Sequence, residues 1–122
     1  MNSPNVYVLN KSGHDISDAY RFGDVVYLTE GRISRYATNN LYRSFVSVLE
    51  NSNKNDYILL TGLTVANVIA CSIFALIHGS LNILIHQPKD NTYVERRLNL
   101  SNLLDENVSN VIKDIKGAHS ND

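Results

Sequence analysis

The sequence predicts an α/β fold with a three-layer, Rossmann-like arrangement, a mainly parallel sheet and an antiparallel hairpin at one edge. Short β-branched and aromatic runs alternate with segments of helical periodicity. Turn residues at 88–91 separate two further strand-like runs, which is typical of a hairpin. The 122 residues suffice for one domain. We place that domain at residues 1–117 and a flexible tail at residues 118–122.

The first predicted strand and helix lie within the amino-terminal 23 residues. Residues 6–9 are β-branched, aromatic or aliphatic and form the strand. Residues 16–22 are expected to form a short helix, with Asp15 or Ser17 near its cap and Gly23 at its end.

A second strand at residues 25–28 precedes an amphipathic helix. Thr38 is the expected N-cap of this helix. Apolar residues follow at helical spacing, namely Leu41, Phe45, Val48 and Leu49. The polar residues 51–55 end the pattern.

Residues 57–85 contain no Asp, Glu, Lys or Arg and have two interpretations. A run of that length reaches across a bilayer if it is one helix. Glycines interrupt it at Gly62 and Gly79, however, which favours a buried β-α-β unit. We therefore predict strands at residues 57–60 and 81–85, joined by a helix at residues 64–78 that Gly79 ends.

The carboxyl-terminal part is predicted to hold the edge strand and a last helix. Residues 92–96 alternate in the manner of a half-exposed strand. Ser101 is the expected cap of a helix that Gly117 ends, and its apolar stripe comprises Leu104, Val108, Val111, Ile112 and Ile115.

Composition excludes several classes of function. Eleven Lys and Arg against twelve Asp and Glu give a net charge of −1, so duplex nucleic acid is not an expected partner. Cys71 is the single cysteine and is expected to be a buried, inert thiol in a reducing compartment. The amino terminus lacks the pattern of a signal peptide, so we predict a cytoplasmic location. The four histidines show no metal-ligand spacing, and no metal or other cofactor is expected.

The candidate ligand site is the edge formed by the carboxyl ends of the parallel strands. The exit of the first strand carries Lys11, Ser12, Gly13 and His14. This segment has two interpretations: a loop that binds phosphate or ribose, or a plain turn in which Asp15 caps the helix.

The other strand exits supply further candidates. Thr61, Gly62 and Thr64 precede a helix and either present N–H groups to an anion or only cap that helix. Arg32 and Arg35 either close over phosphate groups or are solvated. His86 follows the fourth strand, and Tyr36 is a candidate for stacking on a base. Arg96 and Arg97 on the edge strand either block aggregation or contact a phosphate.

Three segments carry a resemblance to known proteins: Val-Leu-Asn-Lys-Ser-Gly-His-Asp (8–15), Asp-Tyr-Ile-Leu-Leu-Thr-Gly (56–62) and Leu-Asn-Ile-Leu-Ile (81–85). With these segments, residues 6–100 resemble a group of small bacteriophage-encoded proteins. Small phage proteins that are neither nucleases nor structural often counter host defence, some by sequestering nucleotide messengers. The resemblance therefore implies an anti-defence setting in the cytoplasm of a bacterial host.

The leading hypothesis is a homo-oligomeric, non-enzymatic protein that sequesters a small phosphate-bearing nucleotide, such as a cyclic nucleotide or an ADP-ribose derivative, at the strand-exit edge. No catalytic set is apparent in the sequence. One alternative is a metal-independent enzyme that cleaves such a nucleotide with His14, Glu30 or His86. The other is a protein-binding inhibitor of a host factor, which uses Arg96 and Arg97 or the last helix.

Overall fold

The computed structural model describes residues 3–101. These residues form five strands, two α-helices and a short 3-10 helix. In chain order the elements are β1 (Asn5–Val8), the 3-10 helix (Ser17–Arg21), β2 (Asp24–Tyr27), α1 (Thr38–Leu49), β3 (Tyr57–Leu59), α2 (Thr64–His78), β4 (Ser80–Gln87) and β5 (Thr92–Asn99).

All five strands belong to one mixed sheet in the order β2-β1-β3-β4-β5. The first four strands pair in parallel, and β4 and β5 pair antiparallel along their whole length, from Ser80 opposite Asn99 to Gln87 opposite Thr92. The prediction of a mainly parallel sheet with an edge hairpin is therefore confirmed. The β-α-β interpretation of residues 57–85 is confirmed as well, because α2 joins the adjacent parallel strands β3 and β4. Among residues 3–101, no helix combines the length and hydropathy that a bilayer crossing requires.

Both α-helices pack on the same face of the sheet. Phe45 of α1 and Phe74 of α2 are fully buried in one cluster with Tyr7 and Ile58 of the sheet. Burial of such side chains contributes about 2 kcal/mol each to folding. The half-buried Cys71 lies beside this cluster, and burial raises the pKa of its thiol to about 11. The thiol is therefore protonated at neutral pH, as expected for an inert cysteine.

The opposite face is covered by the 3-10 helix, so the described residues do not confirm the three-layer arrangement. Ala19 and Phe22 pack there against Val8 and Leu59. Only fifteen residues, 9–23, connect β1 to β2, and they form a single 3-10 helix of five residues where the sequence predicted a helix at 16–22. The predicted last helix at residues 101–117 and the tail at 118–122 lie outside the described residues, apart from Ser101.

Side chains of the 3-10 helix bond to the outermost strand. Asp18 accepts a hydrogen bond from the Tyr93 amide at 2.7 Å, and Arg21 donates to the Tyr93 carbonyl at 2.7 Å. An edge strand otherwise exposes these groups to pairing with other chains. The 3-10 helix therefore links the edge strand β5 to the start of the chain.

The helix boundaries show where the expected caps were wrong. Thr38 and Thr64 are the first helical residues, while Ala37 and Leu63 occupy the N-cap positions without a side-chain cap. Gly79 ends α2 in the left-handed conformation at φ 66°, which confirms its predicted role.

Candidate functional site

A cleft of about 950 Å³ lies at the carboxyl ends of β1, β3 and β4. From β1 the chain continues to β2 on one side, and from β3 it continues to β4 on the other side. Such a reversal opens a crevice between neighbouring strands, and ligands of open α/β sheets usually bind there. The volume is within the range of small-molecule sites.

The floor of the cleft is apolar and belongs to the face that carries the 3-10 helix. It contains Val8 of β1, Tyr27 of β2, Leu59 of β3 and Tyr93 of β5. Ile16 and Ile85 extend it toward the rim. A planar, weakly polar group can bury its faces against such a surface.

The loop after β1 forms one wall, and its start is fixed by bonds to the loop after β2. The Asn10 side chain donates to the Gly31 carbonyl at 2.8 Å. Thr29 donates its hydroxyl to the Leu9 carbonyl at 2.6 Å and accepts the Lys11 amide at its own carbonyl at 2.9 Å. The backbone therefore enters the wall along a defined path.

The next residues of this wall lie in the cleft. Ser12, Gly13 and His14 line it, and neither the Ser12 nor the His14 side chain makes a hydrogen bond within residues 3–101. Gly13 has φ 81°, the left-handed region that glycine adopts without strain. Lys11 also lines the cleft, with Nζ 5.5 Å from the centre of the Tyr27 ring.

A chain of hydrogen bonds connects this wall to the β4–β5 turn. Asp15 accepts the Ser17 amide at 2.9 Å and the Asn91 Nδ2 group at 3.1 Å. The bond from the Ser17 amide is the main cause that lowers the pKa of the Asp15 carboxyl. Asn91 Oδ1 lies 2.8 Å from His86 Nε2, and since the Asn91 amide nitrogen donates to Asp15, the network assigns a proton to His86 Nε2.

The other wall of the cleft is the loop between β3 and α2, which hydrogen bonds to the side chain of Asn67 hold in place. The Thr61 amide donates to Asn67 Oδ1 at 3.1 Å, and Asn67 Nδ2 donates to the Thr61 carbonyl at 2.8 Å. The Leu63 amide donates to the Thr61 hydroxyl at 3.1 Å. Two N–H groups of this loop, those of Thr61 and Leu63, are therefore already bonded within the chain.

Seven of the ten candidate binding residues line the cleft: Lys11, Ser12, Gly13, His14, Thr61, Gly62 and His86. Arg35 and Thr64 line a second cavity of about 250 Å³ near α1, which shares only Gly62 and Leu63 with the cleft. Arg35 donates to the hydroxyl of the exposed Tyr36 at 3.0 Å. Arg32 is exposed and lines neither cavity.

The edge arginines and Glu30 also lie outside the cleft lining. Arg97 donates to the Tyr57 hydroxyl at 2.6 Å and pairs with Glu95 at 3.3 Å. Arg96 donates to the carbonyl of Glu95. Within residues 3–101, no three His, Cys, Asp or Glu side chains are grouped so as to hold a metal ion.

Sequence reasoning missed the contribution of the hairpin. Tyr93 and Asn91 line the cleft, where the β4–β5 register pairs Tyr93 with His86 and a side-chain hydrogen bond joins Asn91 to His86. Asn91 adopts φ 56°, a conformation that asparagine tolerates in hairpin turns. The available sequence signal was Asn91 itself, because it ends the turn that directly follows the fourth strand.

Comparison with known proteins gives one family. The family model described as "Phage Pam3 gp32-like protein" matches residues 4–100, which is more than half of the chain. No curated protein and no solved structure shows significant similarity to the chain.

Proposed function

The chain belongs to the phage Pam3 gp32-like protein family, and we propose that its cleft binds a small phosphate-bearing nucleotide without converting it. The observation that carries this proposal is the cleft of about 950 Å³, in which an apolar floor meets a wall where the Ser12 and His14 side chains make no hydrogen bond within residues 3–101. A nucleotide has the same division, with a planar base at one end and an anion at the other.

The phosphate group is placed at the wall formed by Lys11, Ser12, Gly13 and His14. Lys11 supplies a positive charge, Ser12 supplies a hydroxyl, and the loop supplies backbone N–H groups. A left-handed residue between ordinary ones lets successive N–H groups converge on an anion, and Gly13 has that conformation. The base is placed on the floor, between Leu59 and Tyr93.

Binding is favoured over turnover by the state of the cleft's carboxylate. Asp15 is the one carboxylate among the described lining residues, and the bond from the Ser17 amide lowers its pKa. A carboxylate with a lowered pKa is a weak proton acceptor, so it is poorly suited to general base catalysis. Glu30, the carboxylate that the sequence offered as a general base, does not line the cleft.

In a phage protein, retention of a nucleotide withdraws it from the host proteins that respond to it. We place this activity in the cytoplasm of the bacterial host. The proposal includes the countering of host defence and a homo-oligomeric state.

The direct test is incubation of the purified protein with cyclic and linear nucleotides and with ADP-ribose, followed by removal of free ligand, denaturing extraction and mass spectrometry. We expect one intact nucleotide in stoichiometric amount. A converted product would favour the enzyme alternative with His14 and His86. A protein that retains no nucleotide would contradict the proposal and favour a protein partner.

Charge variants locate the site. Lys11→Met is expected to weaken nucleotide binding about tenfold, which corresponds to the loss of a charge-assisted hydrogen bond. Lys89→Met is the matched control, because Lys89 is exposed in the β4–β5 turn and does not line the cleft.

Arg32→Ala tests the expectation from the sequence that Arg32 contacts the phosphate. Its position outside both cavities predicts unchanged affinity, and weaker binding would show that the loop after β2 reaches the ligand.

A further inference from the structure

The bonded chain Asp15–Asn91–His86 stands at the opposite end of the wall from Lys11. Asp15 is exposed, lines the cleft and uses one carboxylate oxygen for the Ser17 amide and the other for Asn91. Each carboxylate oxygen has two acceptor directions. Asp15 therefore keeps acceptor capacity toward the cleft while its orientation is fixed from two sides.

The two charged residues of the wall divide it by polarity. A phosphate is attracted to Lys11 and repelled by the ionised Asp15, whereas an O–H donor is attracted to Asp15. Three residues lie between Lys11 and Asp15, and because an extended chain advances about 3.3–3.6 Å per residue, their Cα atoms are at most about 14 Å apart. The anion site and the hydroxyl site are thus close enough to be occupied by two groups of one small molecule.

Asn91 makes the hydroxyl site rigid before a ligand arrives. Its amide donates to Asp15 and accepts from His86, and its backbone lies in the left-handed region at φ 56°. Fixing an acceptor in advance lowers the entropic cost of binding a donor to it. The β4–β5 turn is therefore a positioning element for Asp15.

We propose that Asp15, positioned by Asn91, accepts hydrogen bonds from the vicinal hydroxyls of a ribose, so that the ligand class is a ribonucleotide with free 2′ and 3′ hydroxyls. This inference rests on the proposed function, because it uses the same cleft. It adds a specificity: deoxyribonucleotides and nucleotides with a 2′,3′-cyclic phosphate bind more weakly.

The test compares ribonucleoside 5′-diphosphates with their 2′-deoxy counterparts by isothermal titration. The wild-type protein is expected to bind at least one ribonucleotide about tenfold more tightly than its 2′-deoxy form. Asp15→Asn keeps the shape of the side chain but removes its charge. It is expected to lower ribonucleotide affinity to the deoxy level while deoxyribonucleotide affinity is maintained.

Two further variants complete the experiment. Asn91→Gly retains the backbone conformation but removes the amide, so it is expected to reduce the ribose preference without abolishing binding. Glu30→Gln is the matched carboxylate control, because Glu30 follows the neighbouring strand but does not line the cleft. It is expected to leave the preference unchanged.

The outcomes separate this inference from the function on which it rests. Equal affinity of the wild-type protein for the ribo and deoxy forms would overturn the ribose inference and leave nucleotide binding intact. A preference that survives in Asp15→Asn would overturn the assignment to Asp15. Failure of every nucleotide to bind would overturn both proposals.

Discussion

The two ends of the sheet use aspartate in opposite ways. At the amino end, Asp56 precedes β3 and is 1% exposed. Its carboxylate accepts the Asn5 amide at 2.9 Å, the Asn53 amide at 2.8 Å and the Tyr7 hydroxyl at 3.1 Å. At the carboxyl end, Asp15 also accepts a backbone amide, but it is exposed to the cleft.

Burial, more than the hydrogen bonds themselves, separates the structural carboxylate of Asp56 from the carboxylate of Asp15, which is available to a ligand. The Asp56 side chain itself is shielded from water in the folded chain, and Asn82 adds a bond to the Asp56 carbonyl at 2.8 Å. Solvent can replace the partners of Asp15. Substitutions at the amino end are therefore expected to change stability, and substitutions at the carboxyl end to change binding.

The largest expected effect is that of Asp56→Ala. Removal of the carboxylate leaves two backbone amides and the Tyr7 hydroxyl without their acceptor, so the free energy of unfolding should fall by about 4 kcal/mol. Denaturation in urea, followed by circular dichroism, measures it. Asp15→Ala is the control and should lower the free energy of unfolding far less, because the Asp15 side chain is exposed to solvent. Similar losses for both variants would contradict the distinction between the two ends.

Two glycines provide the next comparison. A Cβ atom at Gly23, at the amino end of β2, would lie 2.0 Å from the Pro4 carbonyl oxygen, which accepts the Asp24 amide. Gly23→Ala should therefore lower the free energy of unfolding by about 2 kcal/mol. A Cβ atom at Gly62, in the cleft wall, meets nothing within 4 Å. Gly62→Ala should be neutral in the same urea titration, and an equal loss in both variants would refute the steric explanation.

Asn67→Ala tests a residue that contributes both to stability and to the shape of the cleft wall. It bonds both backbone groups of Thr61, so its loss should cost about 1 kcal/mol of stability and also weaken nucleotide binding. Ser72→Ala is the matched control, since Ser72 is exposed on α2. Calorimetry and titration on the same samples give both quantities. A change in stability with unaltered binding would show that the β3–α2 wall is not part of the ligand site.

A smaller effect is expected on the pH dependence of stability at acidic pH. The folded chain lowers the pKa of Asp15, chiefly through the Ser17 amide, so this group stabilises the fold above its unfolded pKa. That contribution is lost as the pH falls through the lower, folded pKa. Asp15→Asn should therefore show a shallower loss of stability on acidification below about pH 4 than the wild-type protein. Parallel pH profiles of the urea midpoint would indicate that the Asp15 bonds persist in the unfolded chain.

The sequence was most informative where one pattern decides one element. The uncharged residues 64–78 between two glycines predict α2 with its observed bounds, Thr64–His78. Strand exits meet at one edge, so the exits of β1, β3 and β4 were correctly expected to lie together. Helix starts were less predictable, because neither Thr38 nor Thr64 caps its helix.

The remaining differences depend on long-range geometry. Arg32 and Arg35 follow β2, which is an edge strand, and only the strand order shows how far that exit lies from β4. Tyr93 reaches the cleft through the register of the hairpin, which pairs it with His86 and which alternation alone does not fix. The described residues contain no second layer of α-helices, because the short connection between β1 and β2 forms only a 3-10 helix. Helix propensity alone predicted a helix there and did not take the length of the connection into account.

The bonds from the 3-10 helix to Tyr93 also constrain the order of events during synthesis. Asp18 and Arg21 precede their common partner by 75 and 72 residues, so they leave the ribosome long before it. Chains are synthesised from the amino end at about 5–20 residues per second, so several seconds pass between the synthesis of these two residues and that of β5. The floor of the cleft includes Tyr93 itself. A nascent chain therefore has no complete ligand site until its last described strand has been translated.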